Sequence, residues 1–182
     1  MPPCHHCAPP ELGSERDRAD LAEILKAQDT RSSDQIASIK TEAEFKIQLI
    51  TMAIGNDLKE KDFPLTWSLL VKADLDVMDV YHRARSKWQR QRPFRAHDDV
   101  KNIVDANGFG YPSGHSTRSA TLASILRELF PGKKTALQAR SAQIAGDRVS
   151  GGEHYPSDID AGQKKPRTSN MQIHLRKKGV PR

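Results

Sequence analysis

Apolar residues recur at helical spacing along most of the chain. Leu21, Ile24 and Leu25 begin one such pattern. Ile36, Ile39, Ala43, Ile47, Ile50 and Ile54 continue another, which Gly55 stops. Asp62-Phe63-Pro64 reads as a helix start, because proline is tolerated in the first turn, where its missing N–H has no partner to lose. From there Trp67, Leu70, Leu75, Met78 and Tyr81 run toward Arg85 on one long helix. Pro93 is expected to end it, since the residue before a proline avoids the α region. Residues 94–111 read as a loop, with Asn107-Gly108 as turn chemistry. Leu122, Ile125, Leu126 and Leu129 mark the buried face of a helix that follows His115 and closes at Pro131-Gly132. A further helix is expected from about Lys134 to Val149, breaking at Gly151-Gly152. No alternating strand pattern of useful length appears, so an α/β reading lacks its strands. The expectation is an all-α, single-domain helical bundle.

The ends differ in character from this body. Residues 1–16 read as a disordered start, 17–162 as the helical domain and 163–182 as a basic, disordered tail. The chain of 182 residues carries a net charge of +6. The tail holds seven Lys and Arg and no acid, so the body is left at −1. The charge therefore does not call for a nucleic-acid-binding face. No stretch approaches the roughly 20 apolar residues of a membrane span. The first ten residues have neither a basic region nor an apolar core, and do not read as a secretory signal. Both cysteines lie in Cys4-His5-His6-Cys7. That spacing suits a zinc ligand pair, but no second pair follows and prolines flank it, so no metal site is expected.

Three short stretches carry candidate chemistry. Arg85 and Arg92 are seven apart and would share a helical face, about 20° out of line, whereas Lys87 would point away. Guanidinium groups stay charged and can grip phosphate oxygens two at a time. Pro112-Ser113-Gly114-His115 precedes a helix. Glycine there allows close backbone approach, and free N–H groups at a helix start favour an anion. Ser113 adds a hydroxyl, and His115 is a candidate acid. His154 and Asp158 are four apart, so the carboxylate can accept from one ring nitrogen and leave the other as a nucleophile. The Gly151-Gly152 break can fold Arg148 back toward the same pocket. Singly, each stretch also suits a solvated helix end or a surface contact. His82, His97 and His174 have no such context.

Taken in order, the three stretches resemble the type 2 phosphatidic acid phosphatase superfamily. Its pattern is Lys-x6-Arg-Pro, then Pro-Ser-Gly-His, then Ser-Arg-x5-His-x3-Asp. The chain resembles the bacterial class A nonspecific acid phosphatases, over roughly residues 45–162. Lys59-Glu-Lys-Asp-Phe-Pro-Leu65 adds to the likeness. The resemblance implies a helical fold and a phosphomonoesterase that needs no metal ion or other cofactor. It implies His154 as the nucleophile, His115 as the acid for the leaving group, and Asp158 as the residue that orients His154. Arg85, Arg92, Ser113, Gly114 and Arg148 would hold the phosphate. Small phosphate monoesters are the implied substrates, with inorganic phosphate or vanadate as inhibitors. A periplasmic or secreted location is implied, although the chain starts without a secretory pattern. Two positions depart from the pattern: Arg85 stands in place of lysine, and Asp147 in place of serine. The apolar helix that follows the third motif in the family is replaced here by the basic tail. Two other readings stay open: a phosphate-binding relative without turnover, and a vanadate-dependent haloperoxidase, which shares the same pocket. Oligomeric state is not legible.

Overall fold

The structure, a computed structural model, describes residues 8–55 and 58–164. Cys4, Cys7, His174 and the tail from residue 165 on lie outside the described residues. Eight α-helices are found among the described residues: α1 (Glu15–Thr30), α2 (Ser33–Thr41), α3 (Gln48–Thr51), α4 (Pro64–Trp88), α5 (Pro93–Ala96), α6 (Gly114–Leu129), α7 (Lys134–Ser150) and α8 (Pro156–Gln163). Those residues contain no strand, as expected of an all-α chain. None of these helices is long and apolar enough to cross a membrane.

Helix α6 organises the bundle by packing against α4, α7 and α8. Its Leu122, Ile125 and Leu126 join Leu70 of α4 and Leu137 and Ile144 of α7 in one apolar core. Ile50, Ile54 and Phe45 close that core from the other side. Burying each such side chain contributes on the order of 1.5–3 kcal/mol. A second cluster joins Ile24 of α1, Ala145 and Val149 of α7, and Tyr155 and Ile159 at α8. The two clusters meet at α7, which supplies Ile144 to the first and Ala145 to the second.

Four expected boundaries change. Helix α1 begins at Glu15, inside the segment expected to be disordered. Ser14 caps it by accepting from the Asp17 N–H at 3.2 Å, and Arg16 reaches Asp160 of α8 at 2.9 Å. The pattern from Ile36 to Ile54 is not one helix. It breaks after Thr41 and resumes at Gln48. Two carbonyls released near the end of α2 are taken up elsewhere: Ile39 O accepts from Arg148 at 3.3 Å, and Glu42 O lies 3.0 Å from His115 Nε2. Helix α4 starts at Pro64 as expected but ends at Trp88, well before Pro93. Gln89 takes a left-handed conformation (φ 46°) that turns the chain and sends Arg90 inward. The loop expected from residue 94 to 111 gives up its first residues to the single turn α5.

The α6–α8 contact depends on Gly162. A Cβ there would lie 2.9 Å from Thr117 Oγ1 and 3.0 Å from both Ser113 O and Ser116 Cβ. Thr117 cannot easily yield, because its hydroxyl donates to Ser113 O at 2.7 Å. Gly162→Ala is expected to destabilise the fold by about 1–3 kcal/mol through overpacking. A thermal melt checks this, with a drop of about 2–4 °C per kcal/mol for a chain of this size. An unchanged melting temperature would show that α8 can shift without cost.

Candidate active site

Four segments bring the candidate residues together: the end of α4, the link to α5, the start of α6, and the turn between α7 and α8. That last turn is built by glycine. Gly152 sits at φ 77°, and a Cβ there would lie 3.1 Å from Val100 Cγ1 and 3.2 Å from Asn102 Cα. The reversal lets the N–H groups of Glu153 and His154 donate to Arg148 O at 3.0 and 3.2 Å. Arg148 and His154 thereby become neighbours, as the Gly151-Gly152 break suggested. At the start of α6, Ser113 acts as the helix cap, its hydroxyl accepting from the Ser116 N–H at 3.4 Å. Its own N–H donates to Asp158 O at 3.1 Å, which ties α6 to α8.

Hydrogen-bond donors settle the state of His154. Arg92 Nη1 lies 3.1 Å from His154 Nε2, and a guanidinium can only donate. Nε2 is therefore the lone-pair nitrogen. The ring proton belongs on Nδ1, which faces Asp158 Oδ2 at 3.3 Å. The other contact of that oxygen is the Tyr155 N–H at 3.0 Å, which fixes Asp158 at the first turn of α8. Burial holds the imidazole pKa well below its usual value, and the charges of Arg92, Arg85 and Arg148 push it the same way. His154 is thus a neutral imidazole, oriented on one side by a carboxylate and facing a guanidinium on the other.

The cations are largely buried. Arg148 is fully enclosed. Its Nη1 pairs with Glu153 Oε1 at 2.9 Å, Nη2 reaches Ile39 O, and Nε has no hydrogen-bond partner. Arg92 caps α5 rather than lying on α4, so it does not share a helical face with Arg85. It donates to Gly108 O, Asn107 O and Glu153 O, each at 3.1 Å. Burial lowers its pKa to about 10, and the neighbouring Arg85 adds to that. Arg85 lies over the Tyr81 ring and donates to Pro112 O at 3.1 Å. Gly114 makes room for it: a Cβ there would lie 3.4 Å from Arg85 Nη2. Lys87 instead lies over the ring of Trp88.

His115 packs edge-on against Phe45, with Nε2 at the Glu42 carbonyl. Burial lowers its pKa to about 3, and the charge of Arg148 contributes. Asp147 turns away from the arginines. Its Oδ1 accepts from Gln35 of α2 at 3.2 Å, while Arg148 pairs with Glu153. His82 lies exposed beside Tyr81, and His97 packs edge-on against Tyr155. Two participants were not singled out in the sequence. Glu153 stands directly before His154, where a motif search sees only a spacer. Arg90 lies two residues before Arg92, and its inward turn follows from the early end of α4.

Among the described residues no group of three or more His, Cys, Asp or Glu is arranged to hold a metal ion. Positive charge in the site comes from arginine.

Residues 76–163 match the model of the PAP2 superfamily. The chain is 32% identical over 124 residues to the non-specific acid phosphatase of Salmonella typhimurium, covering 64% of this chain and 49% of that protein. It is 28% identical over 166 residues to the non-specific acid phosphatase of Providencia stuartii, covering 85% of this chain and 66% of that protein. The chain thus spans about half to two thirds of the length of these relatives. A crystal structure of a transmembrane PAP2-type phosphatidylglycerolphosphate phosphatase from Bacillus subtilis shares the fold. Its TM-score is 0.57 at 18% identity, with 80% of this chain and 78% of that chain covered. The helical architecture, the ordered motifs and the match over residues 76–163 together make this chain similar to members of the PAP2 superfamily.

Proposed function

We propose that the protein hydrolyses phosphate monoesters through a phosphohistidine at His154. The observation that carries this reading is the state of that ring. It is buried and neutral, with its proton directed at Asp158 and its lone pair facing Arg92. A neutral imidazole is a competent nucleophile at phosphorus once its lone pair is released, and a bound phosphoryl group would draw the Arg92 donor away from Nε2 onto its own oxygens. Arg148 supports the same reading through its buried Nε, which lacks an acceptor. A phosphate oxygen would supply one, and could replace neutral carbonyl acceptors with charged ones at Arg92 and Arg148. The acid phosphatases and lipid A phosphatases among its relatives, including one from Rhizobium etli 35% identical over 78 residues, support phosphoryl chemistry.

In the proposed reaction, His154 Nε2 attacks phosphorus in line as the ester P–O bond breaks. The leaving oxygen takes its proton from His115. Water then attacks phosphorus as the P–N bond breaks, His115 takes a proton from that water, and the bonding pair returns to Nε2 with release of phosphate. His115 must be protonated to begin, yet without an anion its pKa is held near 3. A phosphate dianion opposes both causes of that depression: it offsets the charge of Arg148 and favours an imidazolium beside it. Substrate binding therefore raises the pKa of His115 and lets it pick up the proton it will donate. Arginine supplies the countercharge, so no metal ion enters the cycle.

Rapid quenching with a radiolabelled monoester tests this reading. A phosphoenzyme should form that is stable to base, labile to acid, and unaffected by a chelator. Turnover without any such intermediate, or turnover that a chelator abolishes, overturns the mechanism.

A further inference from the structure

We propose that Arg90, held by Asp17 and Asp20 of α1, is a positioning residue for the Asp158–His154 pair, which makes the N-terminal helix part of the catalytic support. The proposal rests on reading His154 as the nucleophile.

Arg90 joins two helices at the back of the site. Its Nη1 donates to Asp158 Oδ1 at 2.8 Å and to Ser157 Oγ at 2.7 Å, both on α8. Its Nη2 reaches Asp17 Oδ1 at 3.0 Å and Asp20 Oδ2 at 3.5 Å, both on α1. Ser157 also bonds directly to Asp20, which closes the ring of contacts. The guanidinium lies over the Tyr155 ring, 3.9 Å from its centroid, and the side chain is 9% exposed. Tyr155 is the residue between His154 and α8, so Arg90 packs against the chain on both sides of the nucleophile's orienting contact.

The division of Asp158 between its partners gives Arg90 its role. Arg90 takes Oδ1, and Oδ2 is left to Tyr155 N–H and His154 Nδ1. The carboxylate cannot rotate without breaking one set. The main chain of Arg90 adds a second hold: its carbonyl accepts from Gly110 N–H at 2.9 Å. Gly110 covers the pair closely, since a Cβ there would lie 3.2 Å from Asp158 Oδ2 and 3.7 Å from His154 Nδ1.

Charge makes the arrangement necessary. Asp17 and Asp20 of α1 lie beyond Arg90 from Asp158, and Arg90 stands between these carboxylates. Arg92 and Arg85 also act on Asp158, from the link and from α4, with Tyr155 and His154 beside it. Burial raises the pKa of Asp158, and Arg90 is the largest influence against that. Without Arg90, three carboxylates would share one buried region, and a proton would be drawn onto at least one. A protonated or rotated Asp158 would no longer fix the proton of His154 on Nδ1. Helix α1 precedes residues 76–163, the span of the family match, so this support comes from outside the shared motif region.

Arg90→Met and Arg90→Lys, made in the full chain, test the proposal. Turnover of an aryl phosphate is measured across pH, and the His154 tautomer is read by NMR of 15N-labelled histidine. Arg90→Met is expected to lower kcat by about 10- to 100-fold, the scale of a small misplacement near the reacting atoms, with KM within about threefold. Its acid limb should move to higher pH, because Asp158 loses the cation that favours its ionised form. Arg90→Lys should recover part of kcat while still falling short of wild type, since one ammonium cannot serve both helices as the planar fork does. If Arg90→Met does not fold, Arg90→Lys decides alone. A lowered melting temperature with unchanged kcat, pH profile and His154 signals would make Arg90 only a strut and overturn the proposal. Failure of the functional reading looks different: wild type would show no turnover, or His154→Ala would retain it. The NMR measurement would then still decide the role of Arg90, since unchanged His154 signals in both variants overturn it.

Discussion

His154→Ala is expected to reduce turnover of an aryl phosphate by at least about a thousandfold, the scale seen when a nucleophile is removed and only binding and charge stabilisation remain. The phosphate grip should survive in part. Arg148 keeps Glu153 and Ile39 as partners, and Arg92 keeps its three backbone carbonyls, so neither depends on the imidazole for its place. Binding of inorganic phosphate should therefore persist while kcat collapses. That split separates a nucleophile from a residue that merely holds the pocket open. Loss of the buried ring leaves Asp158 Oδ2 with only the Tyr155 N–H, and some loss of stability will accompany the change. Circular dichroism and a cooperative melt confirm that the variant is folded. Activity within about tenfold of wild type would overturn the assignment of His154.

How much of this site could be read from residues alone depended on whether an interaction was local in sequence. His154 and Asp158 are four apart at a helix start, and the carboxylate reaches back as the spacing implies. Ser113 and Gly114 stand at a helix start because glycine and a capping serine favour one there. Arg85 and Arg92 were a different case. Their spacing implies a shared face only on one unbroken helix through residue 92, and Gln89 breaks that helix, so their proximity comes from the α4–α5 turn. The break in α2 was invisible for a related reason. Apolar spacing continues past Thr41, yet the α2 carbonyls at Ile39 and Glu42 are claimed by Arg148 and His115, residues more than seventy positions away. Arg90 has partners set by tertiary contacts, and Glu153 meets Arg148 only because the chain reverses at Gly152, which no spacing rule shows. In a basic stretch such as Arg85 to Arg92, composition cannot say which guanidinium faces substrate and which faces a carboxylate.

That distinction divides the cations into two kinds. Arg90 has its donors shared among carboxylates and a serine hydroxyl, with no role left for an anion. Arg92 rests on three neutral backbone oxygens, and Arg148, although paired with Glu153, keeps a buried N–H without an acceptor. Donors taken up by carboxylates serve position, while a donor left open, or held only by neutral oxygens, serves substrate. Asp147 fits the same division. Its carboxylate accepts from Gln35 rather than from the arginines, and burial raises its pKa.

Asp158→Asn is the sharper test of the orienting contact, because it preserves shape and changes only donors and acceptors. Asp158 accepts on both sides: from Arg90 at Oδ1, and from Tyr155 N–H and His154 Nδ1–H at Oδ2. Asparagine offers one oxygen and one NH2. If its oxygen stays with Arg90, the NH2 confronts the Tyr155 N–H and favours the wrong tautomer of His154, with the proton on Nε2. Arg92 already donates to that nitrogen, so the new proton meets a second donor. If the amide flips, its NH2 faces the Arg90 guanidinium instead. Either orientation leaves buried donors opposed, at a cost of about 1–3 kcal/mol in stability. The catalytic loss should be larger. With the nucleophilic lone pair displaced from Nε2, kcat is expected to fall by about 10²- to 10⁴-fold, the range that follows from a wrongly protonated histidine. KM should change little, since the phosphate-binding arginines keep their own partners. Any acid limb that reports Asp158 ionisation should vanish from the residual activity. Steady-state kinetics across pH, with a melt to confirm folding, measure all three. A kcat within about tenfold of wild type would mean that Gly110 and Arg92 alone hold the His154 tautomer and that Asp158 serves only to cap α8.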